Sequence, residues 1–290
     1  MSLRDFIKSL SDERWNIGFI QNDLNGILHG EQLRVKWMKH SYKDRWFADP
    51  FILEVTDKDI HVLVEEFYKP IHHGRISRLI VDKNSFELKS LDVVLELPTH
   101  LSFPAIIRKD QNVFIYPENG SSGELNLYQY KPETNECIKV ETILAEAVAD
   151  AVITHINNKE MLFCTKVSNP NGNILCVYEK GSSDTFVLNE LYSFNENVAR
   201  MAGNFFEYLG RVYRPTQECN EQYGHAVTLQ EVTRQGDKFL FKEVRRMYST
   251  HPKLTVGMHT FNIYKDIIVT DALGFDNMWI RSILKAMKLK

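Results

Sequence analysis

Long apolar runs, a leader-like N-terminus and a charge excess are all missing from this sequence. No stretch approaches the roughly 18 consecutive apolar residues that a membrane-spanning helix requires. The N-terminal segment carries charges every few residues and has no apolar core typical of a signal peptide. The net charge of −3 gives no electrostatic basis for wrapping nucleic acid. We therefore expect a cytoplasmic protein without a nucleic-acid partner.

Cysteine is also scarce, with four in 290 residues. Their spacing matches no zinc-binding pattern, which argues against a structural metal site. Each lies in or beside an apolar, strand-like run, so we expect buried, reduced thiols rather than a disulfide framework. The four are Cys137, Cys164, Cys176 and Cys219.

What the sequence does contain is a unit of about fifty residues that recurs five times. Each copy begins with a small or acidic residue beside an apolar pair and continues through a second apolar run that ends in polar residues. More polar strands follow, and turn residues separate them. Four short strands per period are typical of a β-propeller blade. The five copies begin near Asp49, Phe103, Asp150, Gly203 and His259.

The sequence therefore predicts an all-β protein, a five-bladed propeller that covers residues 14–275 of a single domain, 1–290. The fifth copy lacks strand-like sequence after Asp271. We expect the isolated strand RWNIGFIQND, near residue 15, to complete the last blade and so remove open sheet edges.

Short helices are predicted at both termini. The segment SLRDFIKSL has apolar residues at helical spacing, and residues 276–290 form a basic amphipathic helix. Two interpretations of the second helix remain open. It caps one end of the propeller, or it contacts anionic lipid or a membrane-bound partner, which would make the protein membrane-associated.

Two blade starts carry an aspartate that follows alanine, Asp49 and Asp150, at equivalent positions two blades apart. The innermost strand of each blade lines the channel, so these side chains are expected to converge on a central funnel. Converging carboxylates repel each other and raise each other's pKa, which stability alone does not explain. The alternative is that each aspartate caps a turn.

The second strands add further acids at their ends. Adjacent Glu65 and Glu66 cannot both face the channel, because side chains alternate along a strand. We expect one to be functional and the other to pair with Arg75 or another base. Two or three carboxylates around one axis could supply a general acid and a general base, the minimum for breaking a glycosidic bond. The other acids are Glu118, Glu218 and Asp271.

Residues 213–227 form the densest polar motif, YRPTQECNEQYGHAV. Arg214 could hold a carboxylate or phosphate through two hydrogen bonds, and Gln217 could bond sugar hydroxyls. The alternative is an exposed polar hairpin with a structural Arg–Glu pair. Arg200 precedes the fourth blade start and could face the funnel. His259, at the fifth, is either a ligand or donor on the axis or a packed core residue.

The motif series WFADPFI, VEEF…GRIS, HLSFPAII, IYPE, ADAVITH and YRPTQ…YG resembles the N-terminal domain of glucosamine inositolphosphorylceramide transferases and their stand-alone bacterial relatives. The resemblance covers about residues 14–275. These domains are similar in turn to the five-bladed propellers of glycoside hydrolase family 43. The plant transferases carry their transferase activity on a separate C-terminal domain, so the resemblance does not imply that activity here.

The resemblance to family 43 implies roles for individual residues. Asp49 matches the general base, and Asp150 matches the aspartate that orients the acid and tunes its pKa. The general acid would be a glutamate of a later blade; Glu118 and Glu218 are both candidates, and neither clearly fits the pattern. Many members hold a calcium ion on the axis near a histidine, and His259 occupies the matching position.

We therefore expect a carbohydrate-active protein, and favour an enzyme that hydrolyses or transfers at a glycosidic bond in surface-glycan or glycolipid metabolism. Its substrate would be a saccharide, a sugar nucleotide or a glycolipid. The alternative is a non-catalytic glycan-binding propeller that positions a substrate for a partner enzyme. The residues expected to contact the substrate are Glu66, Arg75, Arg200, Arg214, Gln217, Tyr223, His225 and Asp271.

Overall fold

The computed structural model describes residues 11–21, 23–169, 172–182 and 184–286. These residues form five four-stranded antiparallel sheets, arranged as the blades of a propeller. The predicted all-β, five-bladed fold is confirmed.

The chain begins with two strands and a short helix before its first complete blade: β1 (Glu13–Gln21), α1 (Leu24–Leu28) and β2 (Lys36–Trp37). Blade 1 follows as β3 (Arg45–Val55), β4 (Asp59–Tyr68), β5 (His73–Asp82) and β6 (Leu88–Leu95). Blade 2 contains β7 (Ser102–Lys109), β8 (Asn112–Glu118), β9 (Leu125–Lys131) and β10 (Glu136–Leu144).

Blade 3 contains β11 (Val148–Ile156), β12 (Lys159–Lys166), β13 (Ile174–Lys180) and β14 (Phe186–Ser193). Blade 4 contains β15 (Phe206–Tyr208), β16 (Arg211–Glu218), β17 (Ala226–Gln235) and β18 (Lys238–Met247). The chain then forms β19 (Phe261–Tyr264), β20 (Ile267–Phe275) and the helix α2 (Met278–Ala286). The innermost strands are neighbours around the centre, since β3 contacts both β7 and β19, and β7 contacts β11.

Both ends of the chain build blade 5, whose strand order is β19-β20-β1-β2. Strand β1 pairs with β20 over its whole length, and Ile17 lies opposite Asp271. The predicted closure of the ring by the strand near residue 15 is therefore confirmed. The short strand β2 was not predicted, because two residues are too few to give a periodic pattern.

Apolar side chains fill the spaces between neighbouring blades. Ile17 and Phe19 of β1 belong to one buried cluster with Phe47, Ile60 and Val62 of blade 1. The closing strand thus contributes to the core between the last and first blades as well as pairing with β20. Burial of this kind stabilises a fold by about 25 cal/mol for each Å² of apolar surface removed from water.

The predicted C-terminal helix is present as α2, whereas the predicted N-terminal helix lies outside the described residues. The guanidinium of Arg281 in α2 lies 3.4 Å from the centre of the Phe275 ring, which places the helix against the end of β20. Among the described residues, no helix is long and apolar enough to cross a membrane.

We expect Ile17→Ala to lower the free energy of unfolding by about 2–5 kcal/mol, because it leaves a cavity between blades 5 and 1. Urea unfolding followed by fluorescence would measure the change. Ile138→Ala is the matched control, since Ile138 is exposed on the outermost strand of blade 2, and its effect should stay within about 0.5 kcal/mol. Equal losses in the two variants would contradict the role of β1.

Candidate functional site

Four blade starts share a distorted backbone. Asp49, Phe103 and Asp150 have φ values of 50°, 44° and 49°, in the left-handed region that non-glycine residues rarely adopt. At each of the three, the pairing of the inner strand with the second strand shifts by a bulge. Gly203, at the fourth blade start, has a φ of 156°. Strained backbone of this kind is often found at functional sites.

A hydrogen-bonded network joins blades 5, 1 and 2. Asp271 Oδ1 accepts the backbone N–H groups of His259 (2.9 Å) and Thr260 (3.1 Å), and Oδ2 lies 2.7 Å from His259 Nδ1. The backbone N–H of Asp49 donates to Asp271 Oδ2 at 3.2 Å. The Asp49 carboxylate accepts the N–H of Phe103 (3.0 Å) and the hydroxyl of Thr260 (3.2 Å).

The charges in this network support each other. Burial disfavours the charged form of His259, but the carboxylates of Asp271 and Asp49 outweigh it and raise the pKa of His259 to about 9. Burial likewise opposes ionisation of Asp271, and the charge and hydrogen bonds of His259 nevertheless hold the pKa of Asp271 below its usual value. For Asp49, burial prevails and raises the pKa. At neutral pH the network therefore contains an imidazolium between two carboxyl groups.

A second group joins blades 2, 3 and 4. Glu118 Oε2 accepts the backbone N–H of Asp150 at 3.0 Å, and Asp150 Oδ2 lies 2.7 Å from Nε of Arg200. The Arg200 guanidinium lies over the Tyr223 ring, 5.0 Å from its centre. Tyr223 in turn meets the His259 ring edge-on at 5.4 Å and is 48% exposed. The two groups are therefore in contact through Tyr223 and His259.

Burial and neighbouring charge shift both acids of the second group. Burial, reinforced by the charge of Asp150 and opposed by Arg200, raises the pKa of Glu118 to about 7. Burial also raises the pKa of Asp150 to about 6, although Arg200 opposes the shift. Glu118 is the more accessible of the two, since it is partly exposed while Asp150 is buried. Glu118 is therefore equipped to hold a proton near neutral pH where a ligand could reach it.

We call the residues of these two groups the central cluster. Its members Asp49, Asp150, Glu118, Arg200, Tyr223, His259 and Asp271 were all singled out from the sequence, and the structure brings them together. Their chemical roles stay predictions. The signal that found them was the recurrence of polar residues at the ends of the first two strands of each blade.

Glu65 belongs beside the central cluster, and Glu66 does not. Buried Glu65 lies close enough to Asp49 and His259 for their charges to act on its pKa, which burial raises to about 7. The His100 ring contacts it, with Nε2 3.2 Å from Oε1. Sequence reasoning did not single out His100. Its position just before the second blade start was the available signal.

The predicted substrate contact of Glu66 is wrong, and that of Arg75 stays a prediction. Glu66 is fully buried and accepts hydrogen bonds from Arg45, Arg75 and Ser77, which occupy its carboxylate. Arg75 also pairs with Glu96. These groups tie β3, β4 and β5 together, as the sequence analysis expected for one member of the Glu65/Glu66 pair.

The predicted ligand contacts of Arg214 and Gln217 are wrong for a similar reason. Arg214 is fully buried within blade 4, where Nη2 donates to the carbonyl of Val198 (3.1 Å) and to Gln230 Oε1 (2.7 Å). Burial lowers its pKa to about 9. Gln217 is also fully buried, and its amide donates to the carbonyl of Met201 at 3.0 Å. Neither side chain is available to a ligand.

Glu218 and His225 bond to each other, with Oε2 2.8 Å from Nδ1, while Glu218 Oε1 accepts the N–H of Asn220 at 2.7 Å. Both carboxylate oxygens therefore stabilise the loop between β16 and β17. By contrast, Glu118 Oε1 accepts no hydrogen bond from the residues that the structure describes. Of the two candidates for a general acid, the geometry favours Glu118.

The calcium ion that the family 43 resemblance implies stays a prediction. Ligand atoms of Asp49, His259 and Asp271 lie within 4.8 Å of one another, so the group is compact enough for an ion. Calcium takes six to eight oxygen ligands, however, and this group offers two carboxylates and an imidazole. The imidazole of His259 already pairs with Asp271, and Asp49 already accepts the Thr260 hydroxyl. The described residues do not by themselves fit calcium, and no step below goes through a metal.

Comparisons with known proteins agree with this architecture. A family model described as glucosamine inositolphosphorylceramide transferase 1, N-terminal, matches residues 34–266. A curated protein of Arabidopsis thaliana, glucosamine inositolphosphorylceramide transferase 1, is 26% identical over 199 residues, which cover 64% of this chain and 25% of that protein. The chain therefore matches about a quarter of the length of this relative.

Solved structures show the same fold at low sequence identity. The GH43_1 enzyme of Xanthomonas citri superposes with a TM-score of 0.54 at 10% identity, covering 80% of this chain and 88% of that one. A GH43 β-xylosidase/α-arabinofuranosidase from a compost microbial metagenome gives 0.53 at 11% identity, covering 82% and 92%. At these identities the likeness shows the fold alone. The resemblances predicted from the motifs are confirmed.

We expect Glu118→Gln to stabilise the protein at alkaline pH. A carboxyl whose pKa rises from 4.5 to about 7 on folding contributes full stability only below the lower value and loses it as the pH rises through the higher one. Gln carries no charge, so the variant should be more stable by about 1–3 kcal/mol at about pH 8 and equal to the wild type near about pH 4.

Urea unfolding across this pH range would measure the difference. Glu133→Gln, at an exposed turn, is the control and should leave the pH dependence unchanged. A Glu118→Gln variant that gains no stability relative to wild type between acid and alkaline pH would contradict the raised pKa.

Proposed function

This chain belongs to the family described as glucosamine inositolphosphorylceramide transferase 1, N-terminal, and from that premise we propose that it acts on a glycosidic bond in a central funnel lined by the central cluster. The observation that carries the proposal is the Glu118–Asp150–Arg200 group beside the half-exposed ring of Tyr223. It combines a protonated acid, a residue that tunes it and an aromatic surface for a sugar.

Glu118 is the proposed general acid. With a pKa of about 7 it is about half protonated at neutral pH and largely protonated below it, and its Oε1 is available to give a proton to the oxygen of the leaving group. Asp150 raises that pKa by its negative charge, and Arg200 lowers it again. Asp150 and Arg200 therefore position and tune the acid, as the family 43 resemblance implies for Asp150.

The general base comes from blade 1 in this proposal. Asp49 occupies the position that the resemblance assigns to the base, and Glu65 lies close to it. The base accepts a proton from water in hydrolysis or from an acceptor hydroxyl in glycosyl transfer.

A non-catalytic glycan-binding propeller is the second candidate. One observation favours it: the fourth blade start is Gly203, which offers no side chain where blades 1 and 3 carry aspartate. A glycan could then be held by Tyr223, Arg200 and the carboxylates without reaction and be presented to a partner enzyme.

The biological setting stays a prediction. A cytoplasmic protein that works on a surface glycan, a sugar nucleotide or a glycolipid would benefit from membrane contact. Trp279 of α2 is 67% exposed, beside Met278, which is also exposed. An exposed tryptophan on a basic amphipathic helix is typical of segments that lie in the membrane interface. This supports peripheral contact through α2.

Glu118→Gln should lower turnover by at least about 100-fold, because it removes the proton donor. A panel of aryl glycosides and nucleotide sugars, assayed with wild type and variant, would measure the loss. Glu218→Gln is the matched control and should retain most of the activity. Equal turnover by wild type and Glu118→Gln would exclude Glu118 as the acid. Glycan binding without turnover by the wild type would favour the second candidate.

Tyr223→Ala should weaken glycan binding about tenfold, which corresponds to about 1.4 kcal/mol, because it removes an exposed ring beside Arg200. Titration calorimetry with the glycan selected from the panel would measure the affinity. Tyr248→Ala is the control, since Tyr248 is similarly exposed but follows the outermost strand of blade 4. A weaker effect at Tyr223 than at Tyr248 would contradict its role as a sugar platform.

A further inference from the structure

We propose that Glu65, held by His100, is the carboxyl of blade 1 that exchanges a proton with the ligand, in the place that the resemblance gives to Asp49. This inference rests on the proposed function and deepens it by assigning the base. The two carboxyl groups differ in the hydrogen bonds that their oxygens already accept.

Asp49 is committed to holding the blades together. One oxygen accepts the N–H of Phe103 in blade 2, and the other accepts the hydroxyl of Thr260 in blade 5 and lies 3.6 Å from Nδ1 of His259. Taking up a proton would weaken the attraction of Asp49 to the His259 imidazolium and disturb the junction of three blades. Asp49 therefore has a structural task that conflicts with proton exchange.

Glu65 has a different environment. Its Oε1 faces His100 Nε2 at 3.2 Å, while across the described ranges of the chain Oε2 accepts no hydrogen bond. The His100 side chain is 43% exposed, so the pair lies where the buried carboxyl meets solvent. One oxygen is thus held and the other remains available.

The backbone fixes the orientation of His100. The N–H of Gly74 donates to His100 Nδ1 at 2.9 Å, so Nδ1 must carry a lone pair. The single ring proton is then on Nε2 and is donated to Glu65 Oε1. Because Oε1 accepts this proton, any proton bound by Glu65 is carried by Oε2. His100 acts through Glu65 and is a positioning residue.

Gly74 is packed so closely that no side chain fits there. A Cβ at this position would lie 2.6 Å from the carbonyl oxygen of Leu101, 2.8 Å from Glu65 Oε1 and 2.9 Å from Cε1 of His100. The Leu101 N–H also donates to the Gly74 carbonyl at 2.9 Å. The segment that leads into blade 2 is therefore fastened to β5, and the Glu65–His100 pair is held by backbone on both sides.

The surrounding charges keep Glu65 near neutrality. Burial raises its pKa to about 7; the hydrogen bond from His100 and the charge of His259 oppose the rise, and the charge of Asp49 adds to it. Glu118 is a further acidic group near His100. A carboxyl with a pKa close to the working pH is present in both forms, which suits proton exchange.

The step balances with Glu118 as its counterpart. Glu65 Oε2 accepts a proton from water or from an acceptor hydroxyl. As the proton leaves, the oxygen of that water or hydroxyl forms its bond to the anomeric carbon. The bond between the anomeric carbon and the leaving oxygen breaks, and the leaving oxygen takes the proton of Glu118. Glu65 gains one proton and Glu118 loses one.

A carboxyl titration tests the pair without any substrate. Protein labelled with ¹³C at the glutamate carboxyls would be titrated by NMR, with Glu65→Gln used for assignment. We expect a resonance that titrates near pH 7 in the wild type. In His100→Leu its midpoint should rise by about one pH unit, because the donor to Oε1 is lost. His100→Gln, which retains a side-chain N–H donor, should restore much of the wild-type value.

The resonance assigned to Glu65 is the one that is lost in Glu65→Gln. If no such resonance titrates between about pH 6 and 8, the proposal is overturned. So would a midpoint that is the same in His100→Leu and the wild type, since His100 would then not act on Glu65.

Turnover separates this inference from the proposed function. On a substrate from the glycoside panel, Glu65→Gln should lose at least about 100-fold in rate and lose the acidic limb of the pH–rate profile. Asp49→Asn should instead lower the melting temperature. Turnover that survives Glu65→Gln but is lost in a stably folded Asp49→Asn would overturn the inference and leave the proposed function intact. If the wild type turns over no substrate, the proposed catalytic function fails. A Glu65 carboxyl that still titrates near pH 7 and responds to His100→Leu would show that the Glu65–His100 pair exists even so.

Discussion

The carboxylate of Asp271 is the group on which the centre of this propeller depends. It accepts hydrogen bonds from the backbone of His259, Thr260 and Asp49 and lies against the imidazole of His259. It therefore joins the last blade to the first where the ring closes. A buried charge without partners would cost several kcal/mol, so this junction is stable only when both blades are in place. The pairing of β1 with β20 supplies that condition.

Once the ring is closed, the centre contains more acidic side chains than cationic ones. Asp49, Asp150 and Asp271 face two cations, Arg200 and the His259 imidazolium. Glu65 and Glu118 are additional, and burial raises the pKa of each to about 7. Proton storage near neutral pH is thus a physical consequence of bringing acids from several blades together. The proposed acid–base chemistry uses groups that the fold has already shifted.

The predictions from the sequence fail at some buried polar residues. These residues lie at or near strand ends, as those of the central cluster do, but they make structural contacts within a blade. Glu66 and Glu65 are adjacent at the end of β4, and alternation along the strand required them to face opposite sides. Which one faced the centre depended on Arg45 and Arg75, which come from neighbouring strands and neutralise Glu66. Arg214 looks like an anion-binding residue in a polar motif, yet carbonyl groups and Gln230 take up its donors inside blade 4.

The sequence by itself determined the number of blades, the strand that closes the ring and the aspartates at two blade starts, because each is recorded in a local pattern that repeats along the chain. Tertiary structure alone decided which polar residues share the centre. It placed His100 against Glu65, bound Asp49 into the junction of three blades and buried Arg214, because these contacts join residues far apart in the chain. A sequence repeat shows which residues lie at the start of a blade. The partners of these residues belong to other blades, and only closure of the ring fixes how the blades are placed against each other.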